Sequence, residues 1–511
     1  MIKNFKWLLL VSLTFVACNS NDETVINPNS SNGLPLTAGT ANFSKYVSLG
    51  NSLCAGYSDN ALFRAGQQNS YPNILSQQFA LVGGGEFKIP YMNDNVGGLL
   101  LGGFQIQGPR LYFTGSGAAP VSGTPTTEVS SILTGPFNNM GVPGAKSFHL
   151  LAAGYGNIAG VATGQANPYF VRFASSPTTS VLADALAQSP TFFSLWIGNN
   201  DVLAYATSGG VGVDQTGNIN PATYGSNDIT DPNVFASVYS TLVDQLTANG
   251  AKGVVANIPY VSTVPFFTTV PTNPIPLDAA TAGQLNGGII GPLDAILTAY
   301  GQPDRLVTLT AGSSNPLLIK DEALTNLGPQ ITGALIANGV SAAQAGLMGS
   351  LYGQARHARN TVGDRDYILL TTRGIIGTTQ TGVPAPFNKV GVTYPLQDGA
   401  VLTADENSKI VVATNAFNAA IAAKASAKGL AFVDANTILG QVNNGGLVYN
   451  GYTMTSTYVT GNSFSLDGVH PSPKGYALIA NKFLEAINAT YHSNFKAVNL
   501  GKYQILYPAS L

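Results

Sequence analysis

Charge is what this sequence lacks most. Of its 511 residues only 9% are Asp, Glu, Lys or Arg, against about 25% in an average soluble chain. Lysine and arginine number 23 against 25 acidic residues, a formal net charge of −2. With no basic run and no stripe of aromatic and arginine residues, nothing points to a nucleic-acid partner. Cysteine is nearly absent: Cys18 and Cys54 are the two, too few for a disulfide framework or a zinc knot. Histidine is scarce as well. His149, His357, His470 and His492 are the four, scattered so widely that no metal site is expected. A Walker A loop, a His-Glu-x-x-His pair and a Gly-x-Ser-x-Gly elbow are all missing, and the last absence argues against an α/β-hydrolase. Beyond the N-terminus no run reaches the roughly 18 uninterrupted apolar residues of a membrane span. Glycine is plentiful at 58 residues, but it has no fixed period, which excludes a fibre or a solenoid.

What is present is apolar and exported in character. Hydrophobic residues make up 45% of the chain, ample for a large core. Lys3 and Lys6 precede the apolar stretch Trp7 to Val16, which is the build of a signal peptide and too short to span as a mature helix. It ends in Leu13-Thr14-Phe15-Val16-Ala17-Cys18, which resembles a bacterial lipobox, with Phe15 its less usual member. That resemblance implies removal of residues 1–17 and lipidation of Cys18. Two or more acyl chains anchor a protein stably without a transmembrane helix, so an outer-membrane lipoprotein is expected. Asp22 and Glu23 resemble a surface-export signal. Residues 18–41, rich in Asn, Ser, Thr and Gly, read as a flexible tether. With Cys18 lipidated, Cys54 has no disulfide partner, and it reads as a small buried residue.

Strands and helices alternate along the rest. Lys45 to Leu49, Thr191 to Ile197, Gly253 to Ile258 and Leu430 to Val433 are apolar runs suited to buried parallel strands. Asp231 to Asn249 has helical spacing and stops at Gly250. Thr403-Ala404-Asp405-Glu406 is a capping-box pattern that opens a helix ending at Gly429. Ser472 and Pro473 open the last helix. This alternation predicts an α/β fold with three layers, α/β/α, around a central parallel sheet. Residues 42–490 read as one domain and 491–511 as a C-terminal tail. A large insertion over about 261–401 is expected to form a cap or subdomain, with helices at Ala279 to Tyr300 and Ser341 to Arg356 and β-like pieces at Arg305 to Thr310 and Asp366 to Thr372. Asp364, Asp366 and Asp434 are expected in surface or capping roles.

Four short blocks carry chemistry: Tyr46-Val47-Ser48-Leu49-Gly50-Asn51-Ser52-Leu53, Gly141-Val142-Pro143-Gly144-Ala145, Leu195-Trp196-Ile197-Gly198-Asn199-Asn200-Asp201, and Leu466-Asp467-Gly468-Val469-His470-Pro471. A serine hydroxyl needs an adjacent base, itself oriented by a third group. Ser52 follows a predicted strand and opens a helix. His470 alone among the histidines has an Asp three residues before it. In open α/β sheets sites form at the carboxyl ends of the strands, so Ser52 and Asn200 can meet there.

In this order the blocks resemble those of the SGNH hydrolases, the GDSL-type esterase/lipase family, whose fold is SGNH/flavodoxin-like. The resemblance implies Ser52 as nucleophile, His470 as base and Asp467 as its orienting acid. It implies an oxyanion hole made of the Ser52 N–H, a backbone N–H at Gly144 and the Asn200 amide, with Gly141 the competing choice for the second. No cofactor is implied. The substrate is an ester, of an acyl lipid or an O-acylated carbohydrate. The family's first block normally has Asp where this chain has Asn51. The alternative reading, for which Asn51 is the support, is a non-catalytic surface lipoprotein that binds glycan or lipid on the same scaffold.

Overall fold

The computed structural model describes residues 27–511; the signal segment, the lipobox and Cys18 lie outside the described residues. At the centre are five strands: β1 (Tyr46–Gly50), β2 (Asn139–Gly141), β3 (Phe192–Trp196), β4 (Lys252–Ala256) and β5 (Ala431–Val433). They pair in the order β5-β4-β3-β1-β2, every pair parallel. Both faces of the sheet are covered, which is why the strands are apolar without alternation. Val47, Leu49, Phe193, Leu195 and Val255 enter the core on one face. Tyr46, Phe192, Trp196, Val254 and Ala256 enter the core on the other.

The helices of the sheet layers are α1 (Ser52–Ala55), α2 (Tyr71–Ala80), α3 (Asn200–Thr207), α4 (Pro232–Thr247), α5 (Ala404–Lys428), α6 (Ala435–Asn443) and α7 (Pro473–Tyr491). α4 and α5 pack on the first face, with Phe235 stacked on Phe417 at 4.2 Å. α2 and α7 cover the second. Their ends follow the capping signals. Asp231 accepts the N–H groups of Asn233 and Val234, Thr403 and Glu406 form a capping box, and Ser472 accepts the Gly475 N–H. Gly429, at φ +60°, closes α5. α5 has the length and composition to cross a bilayer, but Ile410, Ala413, Phe417 and Ile421 spend its apolar face in the core. The result is a three-layer α/β/α fold with the flavodoxin-like strand order 2-1-3-4-5. Its topological switch point lies between β1 and β3, where such folds bind ligands.

Several expectations need correction. β2 was not legible: Asn139-Met140-Gly141 has no apolar run to mark it. The described part of the tether is not free, because Asn494 fastens it. The Asn494 amide donates to Ser30 Oγ, Asn32 Oδ1 and the Pro35 carbonyl, and its Oδ1 accepts the Thr37 N–H. Nor do residues 491–511 hang loose. Phe495, Leu500 and Tyr507 are buried, and Tyr507 packs edge-on against Phe63 at 4.9 Å. Arg305 to Thr310 forms no strand. Side chains take its backbone donors instead: His357 Nδ1 accepts from Val307, Asn286 Oδ1 from Leu309 and Asn315 Oδ1 from Thr310. In Asp366 to Thr372 only Tyr367–Ile368 is strand, and Leu370–Gly374 is a 3₁₀ turn.

The 261–401 segment builds two hydrophobic clusters of its own, one around Leu293, Ile331 and Tyr352, the other around Leu317, Ile319 and Ile368. The buried Arg356 guanidinium pairs with Asp321 and Asp366, both at 2.6 Å. Asp366 also accepts the Ala404 N–H at 3.1 Å, which ties the segment to the first turn of α5.

Candidate active site

The turn out of β1 puts Ser52 at the switch point. Gly50 lets β1 close on β3: a Cβ there would sit 2.4 Å from the Trp196 carbonyl. Asn51, fully buried, caps α1 by accepting the Leu53 N–H at 3.0 Å, and its amide donates to Asn199 Oδ1 at 3.0 Å. Ser52, 7% exposed, heads the helix. α1 is a single turn, so what it offers is unpaired first-turn N–H groups rather than a sizeable macrodipole. The Ser52 hydroxyl lies 2.9 Å from His470 Nε2.

His470 is held from behind. Its Nδ1 lies 2.9 Å from Asp467 Oδ2. A carboxylate there fixes the proton on Nδ1 and leaves Nε2 as the acceptor facing Ser52. Asp467 Oδ1 accepts the Val469 and His470 N–H groups, each at 2.8 Å, and Oδ2 also accepts the Asn60 N–H at 2.9 Å. Burial opposes the charge on Asp467, but His470 and these donors outweigh it and hold the carboxyl at about 2.

Sequence reasoning missed the segment that braces this loop. Ser58 Oγ donates to the Pro471 carbonyl, the Asp59 N–H to Ser465 Oγ, and the Leu466 N–H to Asp59 Oδ1. The Tyr57 ring lies against the imidazole at 4.6 Å. Asp59 is buried, and burial pushes its carboxyl up to about 7; the Leu466 N–H opposes that rise and the charge of Asp467 adds to it. No local pattern marks these residues, because their partners lie about four hundred positions away. The one signal is Asp59-Asn60, a pair suited to the left-handed conformation it adopts at φ +50° and +63°.

Asn200 stands at the head of α3, 8% exposed. One of its two amide hydrogens goes to the Ala145 carbonyl, at 2.9 Å, which leaves the other available. Its neighbour Asp201 is fully buried and accepts both the Ser147 N–H and hydroxyl, at 2.8 and 2.7 Å. Together they tie the 143–147 loop to α3. Gly144 takes φ +80° in that loop, and a Cβ would meet nothing closer than Asn167 Nδ2 at 3.9 Å; what requires glycine is the backbone conformation. Gly141 differs. A Cβ there would lie 2.3 Å from the Ala55 nitrogen, and its N–H is already given to Asn139 Oδ1.

Ser52, Asn200 and His470 share the wall of one cleft, whose empty volume, counting the open mouth, is about 1000 Å³. Asp467 stands behind His470, and Gly144 is not on that wall. Of the 261–401 segment only Val261 and Val264 reach it. The segment also reaches the loop of Asp467 and His470 through the Phe266 N–H, which donates to the Gly468 carbonyl. The remaining candidates fall elsewhere. His357 is buried and His149 half-buried, and desolvation lowers each to about 4; His492 ends α7 in a left-handed turn. Cys54 is fully buried, which pushes its thiol up to about 12. Asp434 caps α6, and Asp364 pairs with Arg359 at the surface. Glu322, Asp398 and Glu406 bring carboxylates within 4.8 Å of one another beside α5, away from the cleft.

No family model matches the chain, and no curated protein matches it. Among solved structures it is similar to an extracellular lipase from Streptomyces rimosus, at 12% identity and a TM-score of 0.27, over 87% of this chain and 98% of that one. A score that low carries no structural argument, and the functional reading rests on the geometry of the cleft.

Proposed function

We propose that the protein is a serine esterase of the SGNH hydrolase class, exported and held on a membrane through lipidated Cys18. The observation that carries this reading is the unbroken relay from Ser52 Oγ to His470 Nε2 and from His470 Nδ1 to Asp467, 2.9 Å at each step, opening on an apolar cleft. Ser52 Oγ attacks the ester carbonyl while His470 Nε2 takes its proton. The Ser52 N–H and the free hydrogen of the Asn200 amide, both on the cleft wall, meet the tetrahedral oxyanion; the resemblance adds the Gly144 N–H, which stands off that wall. His470 then gives the proton to the leaving alcohol oxygen. Water, activated by the same imidazole, hydrolyses the acyl-enzyme. Asp467 stays ionised throughout and stabilises the imidazolium. The test is a fluorophosphonate probe applied to the full chain. The expected result is one label on the Ser52 peptide, lost in His470→Ala; a folded protein that takes no label would sink the proposal.

Two further predictions concern Asn200 and Asn51. Asn200→Ala is expected to lower kcat by about 10²–10³-fold with little change in KM, since the donor acts on charge that develops in the transition state. Steady-state kinetics on a p-nitrophenyl ester reads this directly, and a change confined to KM would remove Asn200 from the oxyanion hole. Asn51→Asp restores the family's usual residue but adds a carboxylate to a fully buried position beside Ser52. A negative charge there favours protonated base. The acid limb of the kcat/KM profile is therefore expected to move to higher pH, by up to about one unit. A superimposable profile would show that no charge enters.

A further inference from the structure

The cleft beside Ser52 extends well past the reacting atoms. Gly475, Leu478, Ile479, Lys482 and Phe483 of α7 all face it. They share one helix face, so the cleft follows α7 from Gly475 to Phe483, eight steps of the helix or about 12 Å. The helix starts three residues after His470, so this length is measured outward from the base. Ile438, Leu439 and Val442 of α6 line the cleft as well. The polar groups gather at the Ser52 end. Trp196 gives its indole N–H to the Asn257 carbonyl at 3.0 Å and turns ring carbons to the cleft. Lys482 has its ammonium on Glu485 at 2.8 Å and over the Tyr449 ring, so its methylene stem is what faces inward. Among the described residues no carboxylate and no guanidinium lines the cleft.

Resting on the esterase reading, we infer that the cleft is an acyl-chain site and that the substrate is a lipid ester with an unbranched acyl chain of about ten carbons. Carbon–carbon bonds of about 1.5 Å in an extended zigzag reach 12 Å in about that number. An acetylated carbohydrate fits poorly. Its acetyl group would leave most of this wall in water, and its sugar hydroxyls would find few partners there. Ile479 and Leu439 are both only partly buried although packed on the core. Partly open aliphatic side chains that line the same cleft are what a hydrocarbon chain would cover.

The experiment is hydrolysis of p-nitrophenyl esters from acetate to palmitate by the purified full chain, with Ser52→Ala, Ile479→Trp and Leu439→Trp beside it. A second series varies the alcohol of acetate esters. Each methylene moved from water to the cleft contributes at most about fourfold. The expected optimum is near decanoate, with kcat/KM at least about 10²-fold above acetate. Each tryptophan variant is expected to lower the decanoate-to-acetate ratio by at least about tenfold; the second variant, on the other helix, guards against misfolding of the first. Ser52-dependent hydrolysis with an optimum at acetate, or a chain-length dependence seen only in the alcohol series, would overturn the acyl-site proposal and leave the esterase standing. Hydrolysis that persists in Ser52→Ala would overturn the esterase reading itself.

Discussion

Ser52→Ala is expected to lower kcat by about 10⁴–10⁶-fold on any ester the wild-type protein turns over, His470→Ala by a similar factor, and the double variant by little more than either alone. On the proposed mechanism the two side chains act as one group. A serine hydroxyl at neutral pH attacks only as its proton leaves, and the acceptor is an imidazole nitrogen 2.9 Å away. Remove the hydroxyl and the base has nothing to deprotonate except water; remove the base and the hydroxyl is an ordinary alcohol. What remains is the oxyanion hole and substrate binding, worth roughly 10³–10⁴ over water in such triads. The variants should otherwise be native. Ser52 loses one oxygen at the edge of a cleft, so its thermal unfolding is expected to stay close to wild type. No neighbour can substitute as nucleophile. Cys54, two residues on, is sealed from solvent, with its thiol at about 12, far from the thiolate such chemistry needs. If Ser52→Ala retained more than about a hundredth of the activity, the nucleophile would lie elsewhere. If the losses in the single variants multiplied in the double, the two residues would not form one catalytic unit.

The parts of this site that could be read from sequence are those whose chemistry is local. Asp467 and His470 share one loop, so their pairing shows as a three-residue spacing. Ser52 and Asn200 each follow a buried strand, and buried parallel strands announce themselves as apolar runs. The helix ends were legible for the same reason, because Thr403 with Glu406, and Ser472 with Pro473, are capping signals that act within one turn. What was hidden depends on distant partners. Asn60 donates to Asp467 from 407 positions away, and nothing near Asn60 announces that. β2 is three residues long and owes its place to pairing with β1, not to its own composition. The segment just before β1 looks like a linker because it is polar, yet polar residues are what Asn494 needs as hydrogen-bond partners. Asn51 shows the limit most clearly. As a letter it is a departure from Gly-Asp-Ser-Leu; in three dimensions its amide donates to Asn199 Oδ1, a bond that an ionised aspartate cannot make.

Asp467→Asn is expected to lower kcat by about 10⁴-fold at neutral pH while leaving the fold in place. Asp467 accepts four hydrogen bonds: two backbone N–H groups on Oδ1, and the Asn60 N–H and His470 Nδ1 on Oδ2. An amide offers one oxygen and one NH₂. With the NH₂ toward Val469 and His470, two backbone donors lose their acceptor. With the NH₂ toward His470, the imidazole can satisfy it only by moving its proton to Nε2. That is the tautomer that cannot accept from Ser52, so the nucleophile loses its base although every atom is nearly in place. The second orientation strands one backbone donor rather than two and should prevail, at a stability cost of about 1–3 kcal/mol. The same carboxyl gives the loss a pH signature. Its folded value of about 2 lies below the roughly 3.9 of an unfolded aspartate. It therefore contributes about 2 kcal/mol of stability above pH 4 or so, and that contribution disappears as the pH falls towards 2. Thermal unfolding followed from pH 6 to pH 2 should show wild type and Asp467→Asn converging as the acid end is approached. A gap that stays constant over that range would mean the Asp467 charge does not stabilise the loop. A variant that loses stability but keeps its activity would remove Asp467 from the relay.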